Sequence, residues 1–352
     1  MHSARPRSQC GILAPCIALA KEEAPRLDSK FIDSEHGVMA ISEFELEPCP
    51  SIELIIRPKE KDVGGFAVRR ALPILIPAST KTSVQHRPSA RRHLGPWVFL
   101  DHMGPVQFSP GPAFSVRPHP HIHLATVTYL FEGQIFHRDS LGSQQIIKPG
   151  DLNLMVAGEG IVHSEREPTE NLSKIRRLHG LQLWLALPEA EENRPASFQH
   201  FAQTELPLRE LDGGVKLRVL MGEAYGLRSP APIFSSTLFA EAHLPADAEL
   251  SFPHNFDELG FYLAEGSIEF AGELIHGPAL VILTSKGCSD RLKSKTAARL
   301  ALLGGRHLGT RHMYWNFISS DPQAIERAKA RWREGKFPNV PGDDQEFIPL
   351  PD

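Results

Sequence analysis

The sequence predicts a mainly β protein with two cores, on three observations. Pro (30 residues) and Gly (27) are scattered between short apolar runs, and both interrupt regular backbone, which favours many strands joined by turns. At 352 residues the chain is longer than one ordinary core serves, so two domains of roughly 100–200 residues are expected. The strand-like runs also fall into two series, separated by a polar stretch at 189–196.

The first series consists of the apolar runs 52–56, 66–76, 98–100, 125–131, 146–147, 152–156 and 181–187, each bounded by Gly, Pro, Asp or Ser. Phe131-Glu132-Gly133 and Lys148-Pro149-Gly150-Asp151 lie between runs and read as tight turns, where Gly supplies positive φ and Pro fixes φ. The second series comprises 215–221, 235–240, 259–263, 280–283 and 300–303. Within it Phe261-Tyr262-Leu263-Ala264-Glu265-Gly266 echoes the segment from Val127 to Gly133, the mark of a duplicated β-barrel unit. Near the end, Ser320-Asp321-Pro322 offers an N-cap and an early Pro, Ile325, Ala328 and Trp332 share one face, and Gly335 follows. One amphipathic helix over 322–334, packed through Trp332, is expected.

The resulting organisation is an N-terminal extension at 1–49, a first barrel at 50–190, a second at 197–319, and a C-terminal helix and tail at 320–352. The extension is read as disordered or as a mis-assigned start. Arg5 and Arg7 precede an apolar run from Cys10 to Ala20, a faint imitation of a secretory signal that Pro15 weakens. The preferred alternative starts the protein at Met39.

Composition excludes several classes. The 38 basic and 42 acidic residues give a formal charge of −4 with no long single-sign run, so no direct contact with nucleic acid is expected. No apolar stretch approaches the ~20 residues that cross a bilayer, so a soluble, cytoplasmic protein without membrane contact is expected. Four Cys at 10, 16, 49 and 288 form neither a disulfide framework nor a CxxC metal site.

The chemistry concentrates in the first barrel. In Arg117-Pro118-His119-Pro120-His121-Ile122-His123, His119 and His121 point to one face if the segment is extended. Gly158-Glu159-Gly160-Ile161-Val162-His163-Ser164-Glu165 repeats the i, i+2 spacing with a His and a carboxylate. If the two strands are neighbours, four ligands converge. Imidazole with carboxylate suits Fe(II), Mn(II), Co(II), Ni(II), Cu(II) or Zn(II), and can leave positions open for substrate or oxygen. The competing reading is chance, since 17 His in this chain produce some close pairs.

His123 is expected on the same face, as a fifth ligand, a hydrogen-bond partner of a ligand or a rim residue. His102 reads as a buried turn histidine satisfied by backbone groups, with lining of the pocket as the alternative. His137-Arg138-Asp139 reads as a solvated or salt-bridged turn. In the second half, Pro253-His254-Asn255 stands where a duplicated barrel would carry its first ligand pair, but no His-x-Glu follows Gly277-Pro278-Ala279. No metal is expected there.

The run from Leu94 to Pro105 (LGPWVFLDHMGP), His119-Pro120-His121, the segment from Thr126 to Gly133 and the Gly158 to Glu165 run resemble the pirin family in order and spacing. Gly180-Leu181-Gln182-Leu183-Trp184, the segment from Arg311 to Phe317, Gly342-Asp343 and Glu346-Phe347-Ile348-Pro349 continue the likeness. The sequence departs from the family at His123, commonly Gly, and at Ala125, often Glu.

The resemblance implies a bicupin, two facing jelly-roll barrels, with one metal in the N-terminal barrel. It implies His119, His121, His163 and Glu165 as the ligands and iron(II) as the leading ion. It further implies a quercetin 2,3-dioxygenase-like enzyme, opening a flavonol with O2 and releasing carbon monoxide, with Glu165 as ligand and base. The alternative implied by the family is a regulator whose metal state alters a protein-binding surface, and a third is another metal-assisted small-molecule enzyme on the same barrel.

Overall fold

The computed structural model describes residues 51–63, 65–73, 93–111, 114–285, 287 and 289–351. The expectations for the extension at 1–49, including Met39 and three of the four Cys, lie outside these residues. Those that are described fold as one unit of β-strands with one C-terminal α-helix.

Two seven-stranded sheets and two four-stranded sheets build two barrels. The first large sheet runs, in spatial order, Ser197–Phe201, Leu152–Val156, Leu124–Glu132, Arg176–Ala186, Trp97–Phe108, Phe66–Leu72 and Lys59–Val63. The second runs Ile52–Ile56, Ala279–Leu283, Glu258–Glu265, Ala298–Gly305, Thr237–Leu244, Val215–Met221 and Leu208–Leu211. The orders match position for position, so the echo at 127–133 and 261–266 marks two equivalent strands, each ending at a Gly with φ near +87°. Gly is required at the first of these, where a Cβ on Gly133 would stand 2.2 Å from the Arg177 carbonyl oxygen.

The sheets do not follow the chain boundaries. Ile52–Ile56, from the range expected for the first barrel, pairs with Ala279–Leu283 in the second sheet, and Ser197–Phe201, from the range expected for the second, pairs with Leu152–Val156 in the first. Each half lends the other its outermost strand.

Strand alternation divides the side chains between two cores. Ala125, Val127 and Tyr129 face Phe239, Tyr262, Leu280 and Leu303 in one cluster that joins the two large sheets face to face. The interior of the second barrel is a separate apolar cluster that includes Leu250, Phe252, Phe261, Phe270 and Leu292. The first barrel differs: between an apolar end (Phe66, Val68, Met103, Leu130, Ile147) and an aromatic end (Phe99, Trp184), it buries polar side chains, among them Thr126, Thr128 and Asn153.

The helix is Pro322–Arg333, with Asp321 as N-cap, its Oδ1 accepting from the Gln323 amide at 2.8 Å. Ile325 and Ala328 bury against Ile122, Val162 and Phe317, with Trp332 packed alongside. The helix thereby covers the outer face of the first small sheet, ordered Ser115–His121, Ile161–Arg166, Ile135–Asp139 and Gln144–Ile147. No helix of the described residues is long and apolar enough to cross a membrane.

Candidate metal centre

Ser115–His121 and Ile161–Arg166 are antiparallel neighbours, with His119 opposite His163. Directly opposed residues share a face, which brings the HxH pair and the later His together inside the barrel. The sharp entry to the second strand needs Gly158: its φ is +51°, and a Cβ there would meet the Arg194 carbonyl oxygen at 1.9 Å. His119, His121 and His163 are all buried and offer ring nitrogens within 4.8 Å of one another.

Two of the rings are oriented from behind. His119 Nδ1 donates to the Arg117 carbonyl at 2.8 Å and His121 Nδ1 to the Asn316 carbonyl at 3.1 Å, leaving each Nε2 as a bare lone pair. His121 Nε2 and His163 Nε2 stand 3.1 Å apart, and the buried Nδ1 of His163 has no hydrogen-bond partner among the described residues. Burial pushes the His119 pKa down to about 4 and holds His121 and His163 well below the usual imidazole range. Three neutral imidazoles with converging lone pairs and an unpartnered nitrogen are a donor set that fits a divalent transition ion.

Glu165 is not part of that group. The pairing slips between His163 and Glu165, where Glu165 faces Val116, so a β-bulge separates the two motif residues. Glu165 keeps some exposed surface, yet burial alone pushes its carboxyl up to about 7. No hydrogen bond or ion pair reaches it among the described residues. The structure thus gathers three of the four expected ligands and leaves the fourth on the same strand, one bulge away.

Three neighbouring readings change. His123 does not share the ligand face: the strand ends at His121, and His123 has φ +59° with Nδ1 2.9 Å from Ser319 Oγ and 3.1 Å from Glu192 Oε2. It ties the linker to the C-terminal segment. His102 is neither in a turn nor in the pocket; within Trp97–Phe108 it faces the other barrel, 3.0 Å from Tyr262 OH and 2.8 Å from His179 Nε2. His137 and Asp139 do partner each other, His137 Nε2 3.1 Å from Asp139 Oδ2, but neither in a turn nor in solvent: they occupy inward positions of Ile135–Asp139, opposite Glu165 and His163, with the His137 ring stacked on Phe198. Only Arg138 points outward, donating to the Gly342 carbonyl. The i, i+2 spacing that exposed the other two motifs is present at His137 and Asp139 as well.

In the second barrel the strands equivalent to the ligand strands are Glu249–Ser251 and Arg291–Ser294, which contribute Leu250 and Leu292 to the apolar core. His254 stands outside it, 3.7 Å from Asp290.

Comparison with known proteins places this architecture. The Pirin family model matches residues 78–185, and the Pirin C-terminal cupin domain matches 239–338. A pirin-like protein of Caulobacter vibrioides is 41% identical over 306 residues, covering 86% of this chain and all of that one. The chain belongs to the pirin family. Among its relatives, a candidate quercetin 2,3-dioxygenase of Pseudomonas aeruginosa is 39% identical, covering 77% of this chain and 80% of its own. The crystal structure of a quercetin 2,3-dioxygenase from Acinetobacter baumannii superimposes with a TM-score of 0.74 at 30% identity, over 85% of this chain and 95% of that one. The bicupin expected from the sequence is thereby the fold of this pirin, with a histidine triad in its N-terminal barrel.

Proposed function

We propose that the first barrel holds one divalent metal on His119, His121 and His163, with Glu165 as fourth ligand, and acts as a quercetin 2,3-dioxygenase-like enzyme on a flavonol. The observation that carries this reading is the convergence of three neutral imidazoles in a partly polar barrel interior. Relatives named for quercetin 2,3-dioxygenase support the substrate class. Iron(II) in a cytoplasmic protein is part of the same proposal, because reaction with O2 asks for a redox-capable ion.

When bound, the ion supplies a Lewis-acid anchor for the substrate oxygen and a redox couple for O2. The chain supplies the rest. Stacked Phe99 and Trp184, with ring centroids 3.9 Å apart and Trp184 5.0 Å from His121, place aromatic rings beside the triad, the kind of surface a planar flavonol would contact. Glu165, on the strand that carries His163, accepts the flavonol hydroxyl proton on its carboxylate. His119 and His121 are kept as Nε2 donors by the carbonyls behind them.

Oxygen uptake with quercetin, measured on iron-reconstituted protein beside His163→Ala and Glu165→Gln, tests the proposal. Wild type should consume O2; His163→Ala should lose both iron and uptake, and Glu165→Gln should keep most of its iron while losing roughly 10²–10⁴-fold in turnover. Stoichiometric iron in the wild type without any uptake would reject the dioxygenase and favour a regulatory pirin.

A further inference from the structure

The strand that carries His163 and Glu165 presents its alternate residues, Val162, Ser164 and Arg166, to the outside of the barrel. All three are taken up by the last part of the chain. Val162 packs with Phe317, Ile325, Phe337 and Val340. Ser164 Oγ donates to Asp343 Oδ2 at 2.7 Å, and Arg166 donates to the same carboxylate through Nε at 2.9 Å and Nη2 at 2.7 Å. Asp343 is thus a single carboxylate that grips the residues on both sides of Glu165. Its side chain is 10% exposed and that of Arg166 19%, so this pair is shielded from solvent more than an ordinary surface ion pair.

The grip falls at the bulge. His163 pairs with His119, but Glu165 pairs with Val116, and the slip lies between them. Backbone pairing with the HxH strand therefore does not by itself fix where Glu165 stands relative to the triad. The other neighbour, Ile135–Asp139, keeps register with Glu165 opposite His137, and the anchor on Ser164 and Arg166 holds the same segment from outside the barrel. The same tail touches the other ligand strand, where the Ile348 amide donates to the Pro118 carbonyl next to His119.

We infer that Asp343 is a positioning residue for the metal centre: by holding Ser164 and Arg166 it fixes the bulged segment and so the approach of Glu165 and His163 to the ion. The inference rests on the proposed ligand set. Asp343 lies more than 170 residues from either motif it serves, so nothing in their local sequence points to it. Partners behind metal ligands typically govern affinity by ~10–100-fold, which sets the expected size of the effect.

The test titrates Co(II) into the full-length apo chain, reading dissociation constant and visible absorption spectrum together. Asp343→Asn and Arg166→Gln, which open the grip from opposite sides, should both weaken Co(II) by ~10-fold or more and shift the spectrum in the same way. Val340→Ala, which thins the same tail packing without touching the grip, is the control for lost stability and should keep the wild-type spectrum. Should Asp343→Asn fail to fold, Arg166→Gln carries the comparison. Wild-type affinity and spectrum in the grip variants would overturn the inference, as would a spectral shift in Val340→Ala equal to theirs. If His163→Ala leaves Co(II) binding by the wild-type site unchanged, the ligand set itself is wrong and the inference falls with it.

Discussion

Gly158 shows how much of this site rests on single backbone positions. It has φ +51°, and a Cβ there would lie 1.9 Å from the Arg194 carbonyl oxygen, a backbone atom that cannot swing aside. Gly158→Ala should therefore destabilise the protein by more than ~1 kcal/mol, read as a lower urea midpoint. It should also loosen the turn whose carbonyl accepts from the His123 amide at the end of the HxH segment. An unchanged midpoint would show that the turn relaxes freely. The ligand spacings His119/His121 and His163 were legible in sequence because two-residue spacing on a strand means one face. His123 was not legible by the same rule, since the rule assumes that the strand continues and a left-handed residue ends it. His137 and Asp139 obey the rule, although their charge favours a turn; their mutual hydrogen bond is what allows them inside.

Among the elements, the central strands of both large sheets were legible, because their near-continuous apolar runs are buried on both faces. The exchange of Ile52–Ile56 and Ser197–Phe201 was not. A strand's own residues specify that it needs a partner edge, not which barrel supplies it. The short strands of the small sheets were equally obscure, since Glu249–Ser251 and Arg291–Ser294 are too short to show a period. The exchange has a measurable consequence. Ile52 and Ile55 pack against the second barrel's core and Leu54 and Ile56 against the shared one, so a chain truncated to begin at Pro58 uncovers the edge of Ala279–Leu283 and part of both cores. An exposed apolar edge invites pairing with other chains. The truncated protein should melt lower and aggregate on concentration, as followed by calorimetry and light scattering. Equal melting and monodispersity would mean that the lent strand contributes little.

At the scale of the whole molecule, the two barrels are joined by a buried polar chain as well as by apolar packing. Tyr262 OH lies 3.0 Å from His102 Nδ1, His102 Nε2 lies 2.8 Å from His179 Nε2, and His179 Nδ1 lies 3.6 Å from Glu265 Oε1. Protons can point one way throughout, from Tyr262 to His102 to His179 and toward the carboxylate, only while both imidazoles are neutral. Burial, with His179 and Arg69 nearby, lowers the His102 pKa from 6.5 to about 3. The sign of the pH effect follows. Above 6.5 His102 is neutral whether the chain is folded or unfolded, and stability does not depend on it. Below 6.5 the unfolded chain takes up a proton that the folded chain refuses, so stability falls with falling pH, by up to ~1.4 kcal/mol per unit for this one group, until the folded pKa is reached. Urea unfolding of the metal-free protein should therefore vary least near pH 8 and decline between 6 and 4, with Glu165, whose carboxyl burial raises to about 7, offsetting about one proton of that slope. His102→Gln, whose amide can still hydrogen-bond on both sides, should remove close to one proton from the slope while leaving the buried triad histidines to supply the remainder. A slope unchanged in that variant would show that the junction between the barrels tolerates a charged imidazole, and that the acid sensitivity arises at other groups, the buried triad histidines among them.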